Sequence, residues 1–377
     1  MSPRPEPPLV DDLLQGIGLR IRDLAIAEFA LPLRQPWRSA RGARERRRGW
    51  LIRLRSTDGL SGYGESAPLP GAGTEIREQA SAALRDLPGT LARRRIAVVS
   101  DVLDALEATP SVRCALETAL LDLIARYRGR SVSVLLNTDS SRRVRVNAAV
   151  GATDSGLDPR AREAVERGYR VLKLKLGVYP SEHELEQVHA LARSLDPGIR
   201  LRLDANGGWD EVDALRAIES LADLPIDGLE EPVGTATPET WRRLQACAPW
   251  PLAIDESLHR WPIERLLEDP PARRIVLKPM AIGGPLATLR LAARAHEAGI
   301  ETVVTTSVDS AVGTWAALQA AAALGDEQTH GLATSDWLAE DVGAAPGIER
   351  GLMSIGSAVG LGVVPCNSIL FEEAMHV

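Results

Sequence analysis

The stretch 170–206, RVLKLKLGVYPSEHELEQVHALARSLDPGIRLRLDAN, changes its period twice. Arg170–Leu176 alternates charged and apolar residues, the period of two that a strand requires. SEHELEQVHALARSL, 181–195, then places apolar residues at helical spacing, and IRLRLDAN, 199–206, returns to alternation. Strand, helix, strand is one βα unit feeding a parallel neighbour. In the first strand Lys173 and Lys175 point one way, and Leu172, Leu174 and Leu176 the other. Burying one ammonium costs free energy, and aiming two at one place costs more. The pair therefore needs something to face.

Working outward, the unit recurs. VRVNAAVG, RVLKLKLG, IRLRLDAN, IDGLEEP, PLAIDES, RIVLKPM, ETVVTTS and THGLATS are eight candidate strands. They lie roughly 25 residues apart, a normal βα repeat. Eight parallel βα units predict a closed TIM-type (β/α) barrel over 140–340. The alternative, a doubly wound open sheet, lacks a glycine-rich phosphate fingerprint after its first strand. Upstream, β-type runs over 20–68 with a turn at Asp58-Gly59, then helical runs over 75–130, predict an α+β capping domain over 19–135. The glycine-rich segment 341–377 is expected to return to the cap. Residues 1–18 hold several prolines and mixed charge, which predicts a poorly ordered leader.

Composition narrows the class. The chain has 377 residues, 45% hydrophobic and 25% charged, ample for a large core. A net charge of −7 argues against a nucleic-acid partner. No apolar run reaches membrane-span length and no signal pattern opens the chain, so a cytoplasmic protein with no membrane partner is expected. Cys114, Cys247 and Cys366 are scattered, with neither disulfide nor zinc spacing. The composition is compatible with a homo-oligomer.

In a barrel, chemistry sits at the C-terminal ends of the strands. There the sequence places Lys173 and Lys175, then Asp204, Glu230, Asp255 and Lys278, then Thr305, Thr306 and Ser307. Singly, such residues are helix caps or snorkelling surface lysines. Together, three acids at one mouth repel unless a cation joins them. An all-oxygen set selects a hard ion, Mg²⁺ before Mn²⁺ or Ca²⁺. A salt-bridge ring without an ion is the structural alternative. Three carboxylates, Mg²⁺ and three lysines leave the mouth positive, which suits a small-molecule carboxylate whose negative charge grows on losing its α-proton. One lysine would be the base, its pKa lowered by its cationic neighbours.

KLKLG, LRLDANGGW, LEEP, AIDES and LKP together resemble the enolase superfamily in its muconate-cycloisomerase-like branch. Within it the chain most resembles the o-succinylbenzoate synthase family, on GYGESAPLPGAGTE, KLKLGVYP, IVLKPMAIGG and VVTTSVDSAVG. That resemblance implies Asp204, Glu230 and Asp255 as Mg²⁺ ligands, with Glu231 and Glu256 as neighbours. It implies Lys175 as the acid/base, Lys173 as its support, and Lys278 across the substrate. The implied reaction dehydrates 2-succinyl-6-hydroxy-2,4-cyclohexadiene-1-carboxylate to o-succinylbenzoate, in menaquinone biosynthesis. Thr305, Ser307 and Gly331 are expected to meet the succinyl carboxylate. An N-succinylamino acid racemase or dipeptide epimerase would use the same lysines. Dipeptide epimerases resemble one another in an Asp-x-Asp pair near the eighth strand, where this chain has only Asp336. A metal-binding scaffold without catalysis is the remote alternative.

Other features carry paired readings. RSARGARERRRGW, 38–50, reads as a solvated hairpin loop or as a capping loop that attracts an anion. PGAGTE, 70–75, reads as a plain turn or a second capping loop. Arg202 is expected to pair with an acid, His330 to be structural or on the surface, and Trp209 and Trp315 to pack in the core or at the rim.

Overall fold

The computed structural model describes residues 6–39 and 42–373. Three antiparallel strands, β1 (Ile21–Ser39), β2 (Gly42–Ser56) and β3 (Ser61–Ser66), form the cap sheet. The long helix Pro110–Tyr127 lies directly on β3. The sequence SGYGES explains the closeness. A Cβ on Gly62 would sit 2.0 Å from the Ala119 carbonyl oxygen, and one on Gly64 1.9 Å from that of Ala115. Two glycines one residue apart thus clear one strand face for a helix backbone. Of the C-terminal segment expected at the cap, Leu352–Ser354 instead pairs with the barrel strand Arg143–Ala152, and only the end reaches the cap sheet, pairing with β1 at Ala25↔Glu373 and Ile26↔Glu372.

The expected leader is corrected. Val10–Leu14 form a short helix whose Val10, Leu13 and Leu14 are buried in the core; residues 1–5 lie outside the described residues. Apolar side chains spaced along one helical face outweighed the proline-rich composition around them.

Eight parallel strands follow: β4 (Arg143–Ala152), β5 (Val171–Lys175), β6 (Arg200–Asp204), β7 (Ile226–Glu230), β8 (Leu252–Ile254), β9 (Arg274–Leu277), β10 (Glu301–Val304) and β11 (Thr329–Ala333). Neighbours pair in sequence from β4 to β10. β11 pairs with β4, and a Thr305↔Gly331 bridge joins the end of β10 to β11, so the barrel closes. In β5, Leu172 and Leu174 are fully buried beneath the outer helices, and the lysines take the other face. Register aligns Lys175 with Asp204, and Asp204 with Glu230, in one row at the mouth.

Two cap carboxylates fasten the cap to the barrel. Glu65 of β3 accepts from the Ser310 and Gly313 amides, at the N-terminus of helix Ala311–Leu324. Glu117 accepts from the Leu286 and Ala287 amides, at the N-terminus of helix Pro285–Glu297. Each satisfies amides that a helix cannot pair internally, at the positive end of the helix dipole. Among the described residues no helix is long and apolar enough to cross a membrane.

Candidate active site

The row at the barrel mouth is a compact charged cluster. Asp204, Glu230 and Asp255 are all buried, and one carboxylate oxygen from each lies within 4.8 Å of the others. Lys173 pairs with Glu230 and, at 2.9 Å, with Asp204 Oδ2. Lys175 pairs with the same Asp204 oxygen at 2.7 Å and donates to Asn206 Oδ1 at 2.8 Å. Lys278 pairs with Asp255. Burial alone would lower the Lys173 pKa, but Asp204, Glu230 and Asp255 outweigh it and raise it well above the lysine range. Lys278 is likewise raised, Asp255 and Glu256 overcoming burial. Burial works to raise the Asp204 pKa, yet Lys173 and Lys175 hold it well below the usual carboxylate range. Lys173 therefore faces two of the acids.

Barrel topology fixes where the lysines stand. Lys175 ends the second of eight strands, and Lys278 follows the sixth. Four places apart in a ring of eight is diametrically opposite. The triad occupies the three strands between, so the two ammoniums face each other across the mouth. The donor set, three buried carboxylates with no nitrogen or sulfur among them, fits a hard divalent cation.

Glu231 accounts for the placement of Asp255. It adopts φ 41°, is fully buried, and accepts from the Asp255 amide (3.0 Å), the Ser257 amide (3.3 Å) and the Ser257 hydroxyl. Burial raises its pKa to about 7, against the pull of the Ser257 hydrogen bond. Glu184 does similar work beyond Lys175, accepting from the amides of Gly177, Val178 and Tyr179.

A cavity of about 300 Å³ opens over the cluster. Thr305, Ser307 and Gly331 line it with Lys173, Lys175, Lys278, Asp204 and Asp255. Thr305 Oγ1 donates to the Gly331 carbonyl at 2.8 Å, and a Cβ on Gly331 would sit 2.4 Å from Thr305 Oγ1. Leu69, Gly71 and Ala72 line the cavity from the cap, so PGAGTE serves as a wall and not as a plain turn. The arginine-rich run is two hairpin strands, with residues 40 and 41 outside the described residues. From it Arg44 reaches the cavity while Arg46 and Arg48 are exposed.

Several residues have other duties. Arg202 is buried and pairs with Asp227 at 2.8 Å, beneath the site. His330 is buried; its Nδ1 accepts from the Val304 amide, so it is structural. Trp209 and Trp315 are core residues. Asp336 turns outward to Arg167, 3.1 Å away. Asn147, Asn206, Arg44 and Trp337 also line the cavity, and sequence reasoning did not single them out. Asn206 carried a signal in its place two residues after Asp204, and Arg44 in its arginine-rich run.

Residues 157–369 match the Enolase C-terminal domain-like family, and residues 21–137 match the Mandelate racemase / muconate lactonizing enzyme, N-terminal domain family. Muconate cycloisomerase 1 of Pseudomonas putida is 32% identical over 72% of this chain and 75% of its own. L-Lys-D/L-Arg epimerase of Methylococcus capsulatus is 30% identical over 92% and 99%. An o-succinylbenzoate synthase of Thermosynechococcus vestitus is 32% identical over 60% and 66%. The crystal structure of muconate lactonizing enzyme from Pseudomonas fluorescens, complexed with muconolactone, superposes with a TM-score of 0.83 at 28% identity, covering 93% of this chain and 98% of that one. With a capping domain, a parallel barrel and an acidic triad between facing lysines, the chain belongs to the enolase superfamily, beside the muconate-cycloisomerase-like enzymes.

Proposed function

We propose that the protein is a Mg²⁺-dependent carbon–oxygen lyase that dehydrates 2-succinyl-6-hydroxy-2,4-cyclohexadiene-1-carboxylate to o-succinylbenzoate. Asp204, Glu230 and Asp255 would hold the ion, which when bound supplies Lewis-acid stabilisation of carboxylate oxygens. Lys175 removes the proton α to the substrate carboxylate, and its ammonium then returns that proton to the departing hydroxyl. Asn206 holds the Lys175 side chain toward the mouth. Lys278, opposite, presents a positive charge to the anion that forms.

The observation that carries the substrate choice is the cavity wall. Leu69, Ala72, Val308, Ala333 and Trp337 give it an apolar surface, and Arg44 adds one cation at the cap side. Among the described lining residues the carboxylates are Asp204, Asp255 and Glu256. The eighth strand contributes Gly331 and Ala333, followed by Thr334, with Asp336 turned away. Such a wall suits an apolar ring bearing a second, distant carboxylate, and offers no acid at that strand for the free ammonium of a dipeptide.

A second reading, racemisation of N-succinylamino acids, is favoured by one observation: the opposed Lys175 and Lys278 supply a base to each face of a carbon. The deciding experiment is a pair of Mg²⁺-dependent assays, one with the cyclohexadiene substrate and one with an N-succinylamino acid. Dehydration is expected to be much the faster. Fast racemisation without dehydration would reverse the assignment.

A further inference from the structure

Arg47 lies in β2, three residues after the cavity-lining Arg44, and is 5% exposed. Its guanidinium donates to the Ala67 carbonyl and, at 3.2 Å, to the Pro68 carbonyl. It stands 3.6 Å from Asp309 Oδ1, a charge pair without a hydrogen bond. Asp309 is 2% exposed, and among the described residues that oxygen has no hydrogen-bond partner. A buried guanidinium and carboxylate are costly to desolvate, and apolar residues of equal volume would often be no less stable. Stability alone is therefore a weak account of the pair.

The contacts share one property. Ala67 and Pro68 lead directly into Leu69, Gly71 and Ala72, the cap wall of the cavity. Asp309 directly follows Val308, part of the barrel wall. Arg47's own strand carries Arg44. One side chain thus reaches three segments, each of which enters the cavity within a few residues. The Ala67 amide also donates to Met280 Sδ at 3.4 Å, two residues beyond Lys278. Val308 is itself strained, a β-branched residue at φ 59°. Such a conformation persists only where neighbours over-determine it. Here the next two residues are fixed from the cap, Asp309 by Arg47 and Ser310 by Glu65.

We infer that Arg47 is a positioning residue, a clamp that sets the relative placement of the cap wall at 67–72 and the barrel wall at 305–309 and so shapes the substrate-facing half of the cavity. The clamp acts on the cavity whatever substrate fills it. It needs the planar fork of arginine, because the point charge of lysine cannot reach two carbonyls and a carboxylate together.

The test is hydrogen–deuterium exchange on the full chain, comparing wild type with Arg47→Lys, Arg47→Met and Asp309→Asn. Both Arg47 variants should speed exchange in peptides spanning 67–72 and 305–310 by about tenfold or more, with the helix 181–194 unchanged. Asp309→Asn should speed only 305–310, because the two carbonyl contacts remain. Should Arg47→Met fail to fold, Arg47→Lys and Asp309→Asn still decide. Unchanged exchange at both segments, or acceleration spread equally to 181–194, overturns the clamp. In turnover, Arg47→Lys should raise KM about tenfold with kcat nearly unchanged, the mark of lost wall binding. An equal loss in kcat would contradict the positioning role. If the proposed substrate is not turned over at all, the exchange measurements still decide on Arg47, and the functional assignment fails separately.

Discussion

Replacing Lys278 by methionine keeps the length of its stem and removes the ammonium that pairs with Asp255. Both partners are largely enclosed, Lys278 at 9% exposure and Asp255 at 5%, so water screens the pair little. Two unit charges about 4 Å apart interact by about 4 kcal/mol at an effective dielectric constant near 20. Stranding one member of a buried pair costs about 3–5 kcal/mol in measured cases. Lys278→Met should therefore lower stability by about that amount in EDTA. With saturating Mg²⁺ the outcome should differ. Under the proposed ligand set, Asp255 in wild type must give up Lys278 to take the ion; in the variant it has nothing to give up. Mg²⁺ should then stabilise the variant more than wild type, and the difference between them should shrink to about 1 kcal/mol or less. Urea unfolding monitored by circular dichroism, with EDTA and with Mg²⁺, measures both differences. A deficit of equal size in both conditions would mean that Asp255 does not bind the ion, and the ligand assignment would fall.

Four more outcomes are expected. Lys175→Ala should abolish turnover while the Mg²⁺-induced rise in melting temperature persists; retained turnover would remove Lys175 as the base. Arg44→Ala should raise KM for a dicarboxylate by about tenfold and leave a monocarboxylate analogue nearly unaffected, a comparison steady-state kinetics makes directly. Glu231→Ala leaves two buried amides and a hydroxyl without their acceptor, each worth about 1–3 kcal/mol, so it should cost more than Glu231→Gln, which keeps one acceptor. Equal losses by urea unfolding would refute that account. Burial, and then Asp309, raise the Glu65 pKa to about 7, against Ser310 and Arg47. From about pH 4.5 to 7 the folded state then holds a proton that the unfolded state has released, so stability contributed by Glu65 falls as pH rises through that window, by about 3 kcal/mol. Unfolding of wild type relative to Glu65→Gln at pH 5 and pH 7.5 should show that loss, and a pH-independent difference would contradict it.

How much was legible follows from periodicity. Charges at matching strand ends, such as Lys175, Asp204 and Glu230, could be aligned from sequence because a strand's period of two and a regular βα repeat fix both face and height. The cap was less legible. Arg47 and Arg44 sit in the same run of arginines, yet one is buried under the cap and the other lines the cavity. The strand's period of two puts them on opposite faces, but which face is buried is set by the contacts of Arg47 with 67–68 and Asp309, distant in sequence. The helix at 10–14 was hidden because composition spoke for disorder while three apolar residues spoke for docking. Trp337 and Asn147 carry no local pattern at all; they reach the cavity through barrel closure.

Lys175 and the Asp204–Glu230–Asp255 triad are proposed to serve a Mg²⁺-dependent proton abstraction that ends in loss of the hydroxyl. Its most direct test is proton NMR of the cyclohexadiene substrate with wild-type protein and with Lys175→Ala, each with Mg²⁺ and with EDTA. Aromatic o-succinylbenzoate signals should appear only with wild type and Mg²⁺. Signals that appear equally with Lys175→Ala or in EDTA, or that never appear with active wild-type protein, would contradict the account.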